Sequence, residues 1–233
     1  MKAIILAAGK GSRLYPITLN KPKGLLEIGD ETILDRLIRQ FRGVGINDIV
    51  IVVGYQKEKI IKHFKGSVRF LQYSNYDKTN NLHTLWSVRD ELNDDVIITF
   101  SDLVLHSKII SKLIEDGGDI TLAVDTSQVL EGTMRVKVAN NTLQSIKTTT
   151  NDEASGNFTG LAAFSKNGCK KLVNEMSKVI GGNYDDYYTL AIDNMARRNE
   201  KIACFDVAGL LWREIDTKDE YDEVKAMSFK FNE

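Results

Sequence analysis

The sequence predicts an α/β protein built on a mostly parallel central sheet flanked by helices. Three observations carry the prediction. Short apolar runs recur through the first half: KAIILA at 2–7, DIVIVV at 48–53, VIITF at 96–100 and ITLAV at 120–124. Their length suits strands covered on both faces. Between them lie stretches whose apolar residues repeat at helical spacing, and such alternation produces crossover helices and parallel neighbours. Beyond about residue 126 the rhythm changes to alternating, turn-punctuated segments. That change predicts a smaller β-rich portion woven into the same unit.

Taken in order, KAIILA opens the sheet. After Asp30, the stretch ETILDRLIRQFRGVG places Ile33, Leu34, Leu37, Ile38 and Phe41 on one helical face, and glycines end it. DIVIVVG is the second strand, QKEKIIKHF (56–64) a short helix and VRFLQY (68–73) the third strand. NNLHTLWSVRDEL (80–92) is a helix with Leu82, Leu85, Trp86 and Leu92 inward, and VIITFSD is a strand ending at Asp102. KIISKLIED (108–116) is a helix and DITLAVD (119–125) a strand. MRVKVANNTLQSIK (134–147) is a hairpin turning at Asn140-Asn141. FTGLAAFS (158–165) adds a strand. Helices are expected near 166–179 and 186–198, strands near 202–207 and 211–215, and a closing helix after Asp216. One domain over residues 1–233 follows, with a ligand-facing part over about 1–125 and a second over about 126–233. In open sheets of this kind ligands bind beyond the carboxyl ends of the strands, so functional residues belong in the loops after residues 7, 54, 72 and 101.

Composition narrows the chemistry. A net charge of −1 over 233 residues provides no global field for nucleic acid, so any anion site is local. No stretch approaches the roughly 20 apolar residues that span a bilayer, and the start of the chain lacks the flanks of a signal peptide. Cys169 and Cys204 have no metal-binding spacing and read as reduced thiols of a cytoplasmic protein. His63, His83 and His106 form no ligand pattern.

The richest segment is AAGKGSRLYPITLNKPKG at 7–24. It is neither G-x-G-x-x-G, because Leu14 stands where the third glycine belongs, nor the P-loop pattern. Glycines at a strand end let backbone N–H groups converge on an anion. Arg13 adds a planar fork for phosphate oxygens, and Lys23 a point charge behind the rigid Pro22. The plainer reading is a turn bearing solvated basic residues.

Gly9-x-Gly11-x-Arg13-Leu14, then Pro16 and Thr18-x-x-x-Pro22-Lys23, resembles the signature of the nucleotidyltransferase family that includes sugar-1-phosphate nucleotidylyltransferases and phosphocholine cytidylyltransferases. Asp102 and the late Glu214-Ile215-Asp216 fit the same family. The resemblance implies a Rossmann-like fold with a β-rich substrate-binding portion. It implies a loop of Leu6, Ala7, Ala8, Gly9 and Gly11 around NTP phosphates, with Ser101 nearby. Arg13 and Lys23 would contact those phosphates, and Asp102 and Asp216 would hold Mg²⁺. Lys21 would be a helper, and Lys10 would face solvent. The reaction implied is attack by an acceptor's phosphate or phosphonate oxygen on the NTP α-phosphorus, with pyrophosphate leaving. The nucleophile is already an anion, which suits a chain without a Ser/His/Asp or Cys/His constellation. Without the resemblance, Asp102 and Asp216 read as helix-terminal residues, Asp216 before the capping run D-T-K-D-E.

Substrate identity rests on thinner signals. Asn80-Asn81-Leu82-His83-Thr84-Leu85 departs from the Gly-Thr-Ala element of the sugar enzymes. It resembles a stretch of the small cytidylyltransferases acting on phosphocholine or 2-aminoethylphosphonate. Asn80 and Asn81 also read as helix caps. Gln72, Tyr73 and Asn75 lie at a strand end where a pyrimidine would sit, which favours CTP over UTP. For the acceptor, Arg135 and Lys137 share one strand face suited to an acidic group, or a solvated one. Tyr187, Asp186 and Asp193 belong to a tyrosine–aspartate cluster suited to an amine. The partners implied are CTP or another NTP and a small phosphorylated or phosphonate acceptor, with no nucleic acid and no membrane insertion. A homodimer is compatible with this. The competing functions are a sugar-1-phosphate nucleotidylyltransferase using UTP or dTTP, and a nucleotide-binding regulatory module without catalysis.

Overall fold

The computed structural model describes every residue except 131, 148–153, 208, 228–230, 232 and 233. The first half runs β1 (Lys2–Ala7), β2 (Glu27–Ile28), β3 (Glu31–Thr32), α1 (Ile33–Gly43), β4 (Asp48–Val53), α2 (Lys57–His63), β5 (Arg69–Gln72), α3 (Asn81–Ser87), β6 (Val96–Phe100), β7 (Leu103–Leu105), α4 (Lys108–Asp116) and β8 (Ile120–Asp125). The second runs β9 (Arg135–Ala139), β10 (Thr142–Lys147), β11 (Gly156–Phe164), α5 (Lys166–Val179), α6 (Thr189–Arg197), β12 (Ala203–Asp206), β13 (Trp212–Glu214) and α7 (Lys218–Ala226).

Nine strands form one sheet in the order β5-β4-β1-β6-β11-β8-β12-β10-β9. The expected parallel arrangement holds for β5-β4-β1-β6 and again for β8 with β12. It does not extend across the whole sheet. β11 enters antiparallel between β6 and β8, and β10 is antiparallel to β9 and β12. In chain order β11 follows the β9–β10 hairpin, and it pairs antiparallel with β9 as well. The hairpin turns at Asn140 and Asn141, with φ of 51° and 55°, the left-handed pair that a tight two-residue turn demands.

Burial follows the predicted two-sided pattern. Along β1, Ala3, Ile5 and Ala7 enter one core while Ile4 and Leu6 enter the other. α1 is fixed at its start by a capping box, in which Thr32 accepts from the Asp35 backbone and Asp35 from that of Thr32. Three short strands were not foreseen. β2 and β3 form a two-residue ladder, and β7 pairs antiparallel with β13.

β11 is the seam between the two portions. Its second half pairs with β6, and Gly156 and Asn157 pair with β9 on the same edge. The register shifts between Phe158 and Ala162, around Gly160 at φ 86°. A Cβ on Gly160 would lie 3.1 Å from the Phe100 ring, so this close approach demands a residue with neither side chain nor left-handed penalty.

An ion network ties the amino end of the sheet. Glu91 accepts from Arg69 Nη1 and Nη2 at 2.9 and 2.8 Å and from Lys2 Nζ at 2.6 Å. Arg69 Nε reaches Asp48 at 3.0 Å. The Arg69 hydrogen bonds, helped by Lys2 and opposed by partial burial, pull Glu91 from the ordinary 4.5 down to about 2. A depressed carboxyl stabilises the fold fully above its unfolded value, and that contribution is lost as pH falls through the folded value. The melting-temperature gap between the parent protein and Glu91→Gln is therefore expected to be full at pH 5–7 and to shrink steadily towards pH 2. A gap independent of pH would refute the linkage.

Candidate active site

β1 and β6 are parallel neighbours in register, Leu6 opposite Phe100. Their carboxyl ends therefore place the Ala8–Gly11 turn beside Ser101 and Asp102, and Ser101 N donates to Leu6 O at 3.1 Å. The turn is rigid. Gly11 sits at φ 61°, and its carbonyl accepts from Leu14 N at 3.0 Å and Thr18 Oγ1 at 2.8 Å. Tyr55, Gln56 and Lys59 bind the carbonyls of residues 18–20 from outside.

Two devices converge on Asp102. A Cβ on Gly24 would lie 2.7 Å from Leu34 and 3.2 Å from Ser101. Gly24 thus lets the Pro22-Lys23 turn press against the end of β6. On the other side, β13 pairs with β7, Glu214 facing Leu103, and Ile215 N donates to Asp102 O at 3.0 Å. This ladder brings Asp216 beside Asp102 across 114 residues of sequence, from positions 102 and 216. Asp216 is then fixed from behind, its N–H bound to Glu220 Oε2 at 2.7 Å within the capping box of α7.

Lys23 lies between the two carboxylates. Its Nζ donates to Asp102 Oδ2 at 2.6 Å and Asp216 Oδ1 at 2.5 Å. Arg13 Nη2 reaches the other Asp216 oxygen at 2.8 Å from an exposed position. Burial alone would push the Lys23 ammonium down, but the two carboxylates outweigh it and hold the group above its usual range. Asp102 Oδ1 is buried and has no hydrogen-bond partner. Glu214 faces the same space. Desolvation first, then the charges of Asp102 and Asp216, push its carboxyl up to about 8. Lys23 and Arg13 thus face Asp102 and Asp216 with a third carboxyl, raised by its surroundings, beside them.

A cavity of about 270 Å³ opens from this cluster. Among the residues expected from sequence, Leu6, Ala8, Gly9, Gly11, Arg13 and Lys23 line it. So do Asn80, Asn81, Ser101, Asp102, Tyr187 and Asp216. Ala7 does not; it enters the opposite core. Gln72 is exposed and accepts from Lys57 at 2.7 Å. Tyr73 is buried with its hydroxyl on Thr79 at 2.5 Å, and Asn75 is exposed. Tyr76 and Thr79, a few residues on, occupy the wall assigned to them. Lys21 pairs with Glu27 at 2.7 Å, away from the cavity, and Lys10 is exposed as expected.

The charged acceptor candidates are placed elsewhere. Arg135 and Lys137 alternate with the buried Val136 on the outer face of β9. Asp193 is buried structurally, accepting from Ile146 N at 2.9 Å and Arg197 Nε at 2.6 Å. Asp186 contributes its backbone carbonyl to Leu82 N. Beyond the cluster the described lining is neutral, and Thr84, Phe100, Thr133 and Met134 were not anticipated. One signal pointed to Tyr76. A Cβ on Gly54, at the end of β4, would lie 2.7 Å from both Tyr76 Cδ1 and Ala8 O, so that glycine marks where the aromatic ring covers the loop.

The profile of the MobA-like NTP transferase domain matches residues 3–167. A CTP:phosphoglutamine cytidylyltransferase of Campylobacter jejuni is 33% identical over 71% of this chain and 73% of its own length. A UTP–glucose-1-phosphate uridylyltransferase of Haloferax volcanii is 34% identical over 54% of each chain. A choline-phosphate cytidylyltransferase of Streptococcus pneumoniae is 42% identical over 42% of this chain and 43% of its own. Matches to these last two thus span about half of each relative or less. The solved structure of CTP:phosphocholine cytidylyltransferase from Streptococcus pneumoniae shares the fold at a TM-score of 0.82 and 24% identity, covering 97% of this chain and 98% of that one.

Removing one partner of a buried ion pair leaves the other charge uncompensated, at a cost of about 3–5 kcal/mol. Lys23→Met, melted in EDTA at pH 7.5, is accordingly expected to lose about 3 kcal/mol of stability. A melting temperature equal to that of the parent would show that the carboxylates do not depend on Lys23.

Proposed function

Because the chain belongs to the MobA-like NTP transferase family and is a nucleotidyltransferase, we propose that it transfers CMP from CTP to a small phosphate- or phosphonate-bearing acceptor, releasing pyrophosphate. The observation that carries this reading is the Lys23 ammonium held between Asp102 and Asp216 beside the glycine turn. Two carboxylates trained on one cation, with Asp102 Oδ1 buried and unpartnered, are the donor set a divalent cation takes. Among the described residues no group of three His, Cys, Asp or Glu side chains forms a metal cage. Mg²⁺ there would complete its shell with phosphate oxygens and water. Asp102 and Asp216 would hold it.

When bound, Mg²⁺ supplies charge neutralisation on the triphosphate oxygens. The remaining work falls to the chain. The Gly9–Gly11 turn presents backbone to the phosphates. Gly9 has no atom within 4 Å of a Cβ position, which leaves room for close approach. Lys23 and Arg13, released from the carboxylates, turn to the triphosphate and stabilise the charge that develops on the α-phosphoryl and the leaving pyrophosphate. An acceptor oxygen forms the new bond to the α-phosphorus as the bond to the β-phosphoryl oxygen breaks. The acceptor oxyanion carries no proton to remove, so no general base is required.

CTP as the nucleotide is supported by the two cytidylyltransferase relatives. Phosphoglutamine, phosphocholine and 2-aminoethylphosphonate are the acceptors to compare. The neutral lining, with the Thr84 and Thr133 hydroxyls, supports a second reading in which the acceptor is a sugar 1-phosphate, in line with the uridylyltransferase relative. Among the described residues no helix is long and apolar enough to cross a membrane.

Pyrophosphate release is to be measured with CTP, UTP, ATP, GTP and dTTP against phosphocholine, phosphoglutamine, 2-aminoethylphosphonate and glucose 1-phosphate in Mg²⁺. The expected result is turnover with CTP and one of the first three. Turnover confined to glucose 1-phosphate with UTP or dTTP would establish the second reading instead. Asp216→Asn leaves Lys23 paired with Asp102 and Arg13 in solvent, so no buried charge is left uncompensated. It is expected to fold with a melting temperature close to the parent and to lose on the order of 10²-fold or more in kcat. Near-normal turnover in saturating Mg²⁺ would refute the assignment of Asp216.

A further inference from the structure

The segment 181–188, GGNYDDYY, delivers Tyr187 to the cavity wall. It carries no strand or helix of its own and begins at two glycines, Gly182 at φ 84°. What holds it is the start of α3. Asn80 N donates to Tyr184 O at 2.7 Å, Leu82 N to Asp186 O at 3.3 Å, and Asn80 Nδ2 to Asp185 O at 3.1 Å. The His83 ring stacks on Tyr184 at 5.2 Å and 18°. The last tie follows Tyr187 directly: Tyr188 N donates to Asn81 Oδ1 at 2.8 Å. Tyr188 itself is fully buried against Phe100, so the Asn81 bond sits between a fixed residue and the one that faces the ligand space.

This geometry gives the adjacent asparagines a role in holding the segment 184–188. Asn80 Nδ2 and Asn81 Oδ1 are engaged by its backbone, and Asn80 Oδ1 accepts from Asn81 N at 2.8 Å. The wall that Tyr187 contributes is shared with Met134, beside Thr189 of α6, and Phe158 of β11. All three come from the second half of the chain, whereas the glycine turn and Lys23 come from the first.

We infer that Asn81 is a positioning residue, one that fixes Tyr187 at the acceptor end of the cavity by holding the Tyr188 N–H and so sets affinity for the acceptor rather than for the nucleotide. The inference rests on the cytidylyltransferase reading for the identity of the two substrates, though the tie itself does not. An oxygen at Oδ1 is all the bond requires. Asn81→Asp keeps that acceptor, exchanges the amide donor for a carboxylate oxygen and adds a negative charge, whereas Asn81→Ala removes both acceptor and donor; the Asp variant is therefore read by hydrogen exchange.

The test has a part that needs no substrate. Amide hydrogen exchange over residues 181–188 is expected to quicken at least tenfold in Asn81→Ala and to stay near the parent rate in Asn81→Asp. In kinetics with CTP and the acceptor of highest turnover among phosphocholine, phosphoglutamine, 2-aminoethylphosphonate and glucose 1-phosphate, Asn81→Ala is expected to raise the acceptor KM about tenfold, with the CTP KM within twofold of the parent. In a Tyr187→Ala background the same change is expected to add nothing, because a residue acting through Tyr187 has nothing left to position. Unchanged exchange in Asn81→Ala would overturn the inference. So would a raised CTP KM in Asn81→Ala with the acceptor KM unmoved, exchange in Asn81→Asp as fast as in Asn81→Ala, or full additivity with Tyr187→Ala. Failure of the function reading looks different: none of the variants, nor the parent, would turn over CTP, while the exchange pattern would persist.

Discussion

The site depends on one ammonium group. Lys23 Nζ lies within 2.6 Å of carboxylate oxygens from both Asp102 and Asp216. Each partner arrives from a different piece of architecture: a turn behind β1, the end of β6, and the strand that precedes the last helix. Without a cation between them, two carboxylates at this spacing repel one another. With it they form a preassembled cluster of alternating charge. The same contacts hold Lys23 away from solvent, so its charge is stored in place rather than screened.

Several features of the fold serve this meeting. Gly24 allows a turn to lie against the end of β6 at a separation that any side chain would prevent. The short β7–β13 ladder spans the long sequence gap between the two aspartates. β11 turns the parallel half of the sheet into the β-rich half by pairing with β6 at one end and β9 at the other. Its left-handed Gly160 rests against Phe100, on the cavity floor, where the two halves join.

What could be read from sequence follows the range of the interactions involved. Local patterns were legible: the two-sided β1, the apolar face of α1, the Asn140-Asn141 turn. So was the opening signature, since Gly9, Gly11, Arg13 and Lys23 lie within fifteen residues and carry their chemistry in their spacing. The pairing of β7 with β13 was not legible. Leu103–Leu105 is three residues long and has no periodicity, and its partner lies more than a hundred positions away. The placement of the charged acceptor candidates was not legible either. Arg135, Lys137 and Asp193 have suitable charges, but strand alternation turns the first two outward, and helix packing commits the third to Ile146 and Arg197. Neutral residues such as Thr133 and Met134 line the cavity without any charge to mark them.

The late position of Asp216 has a consequence for how the protein is made. The core strands β1, β4 and β6, the glycine turn, Lys23 and Asp102 all emerge from the ribosome in the first 102 residues. Asp216 follows 114 positions later, held by Glu220 of the final helix. The contact of Lys23 with both carboxylates can therefore form only once residue 216 has been made. A chain cut short before β13 would retain the family domain over 3–167 while lacking one of the two carboxylates on which Lys23 rests.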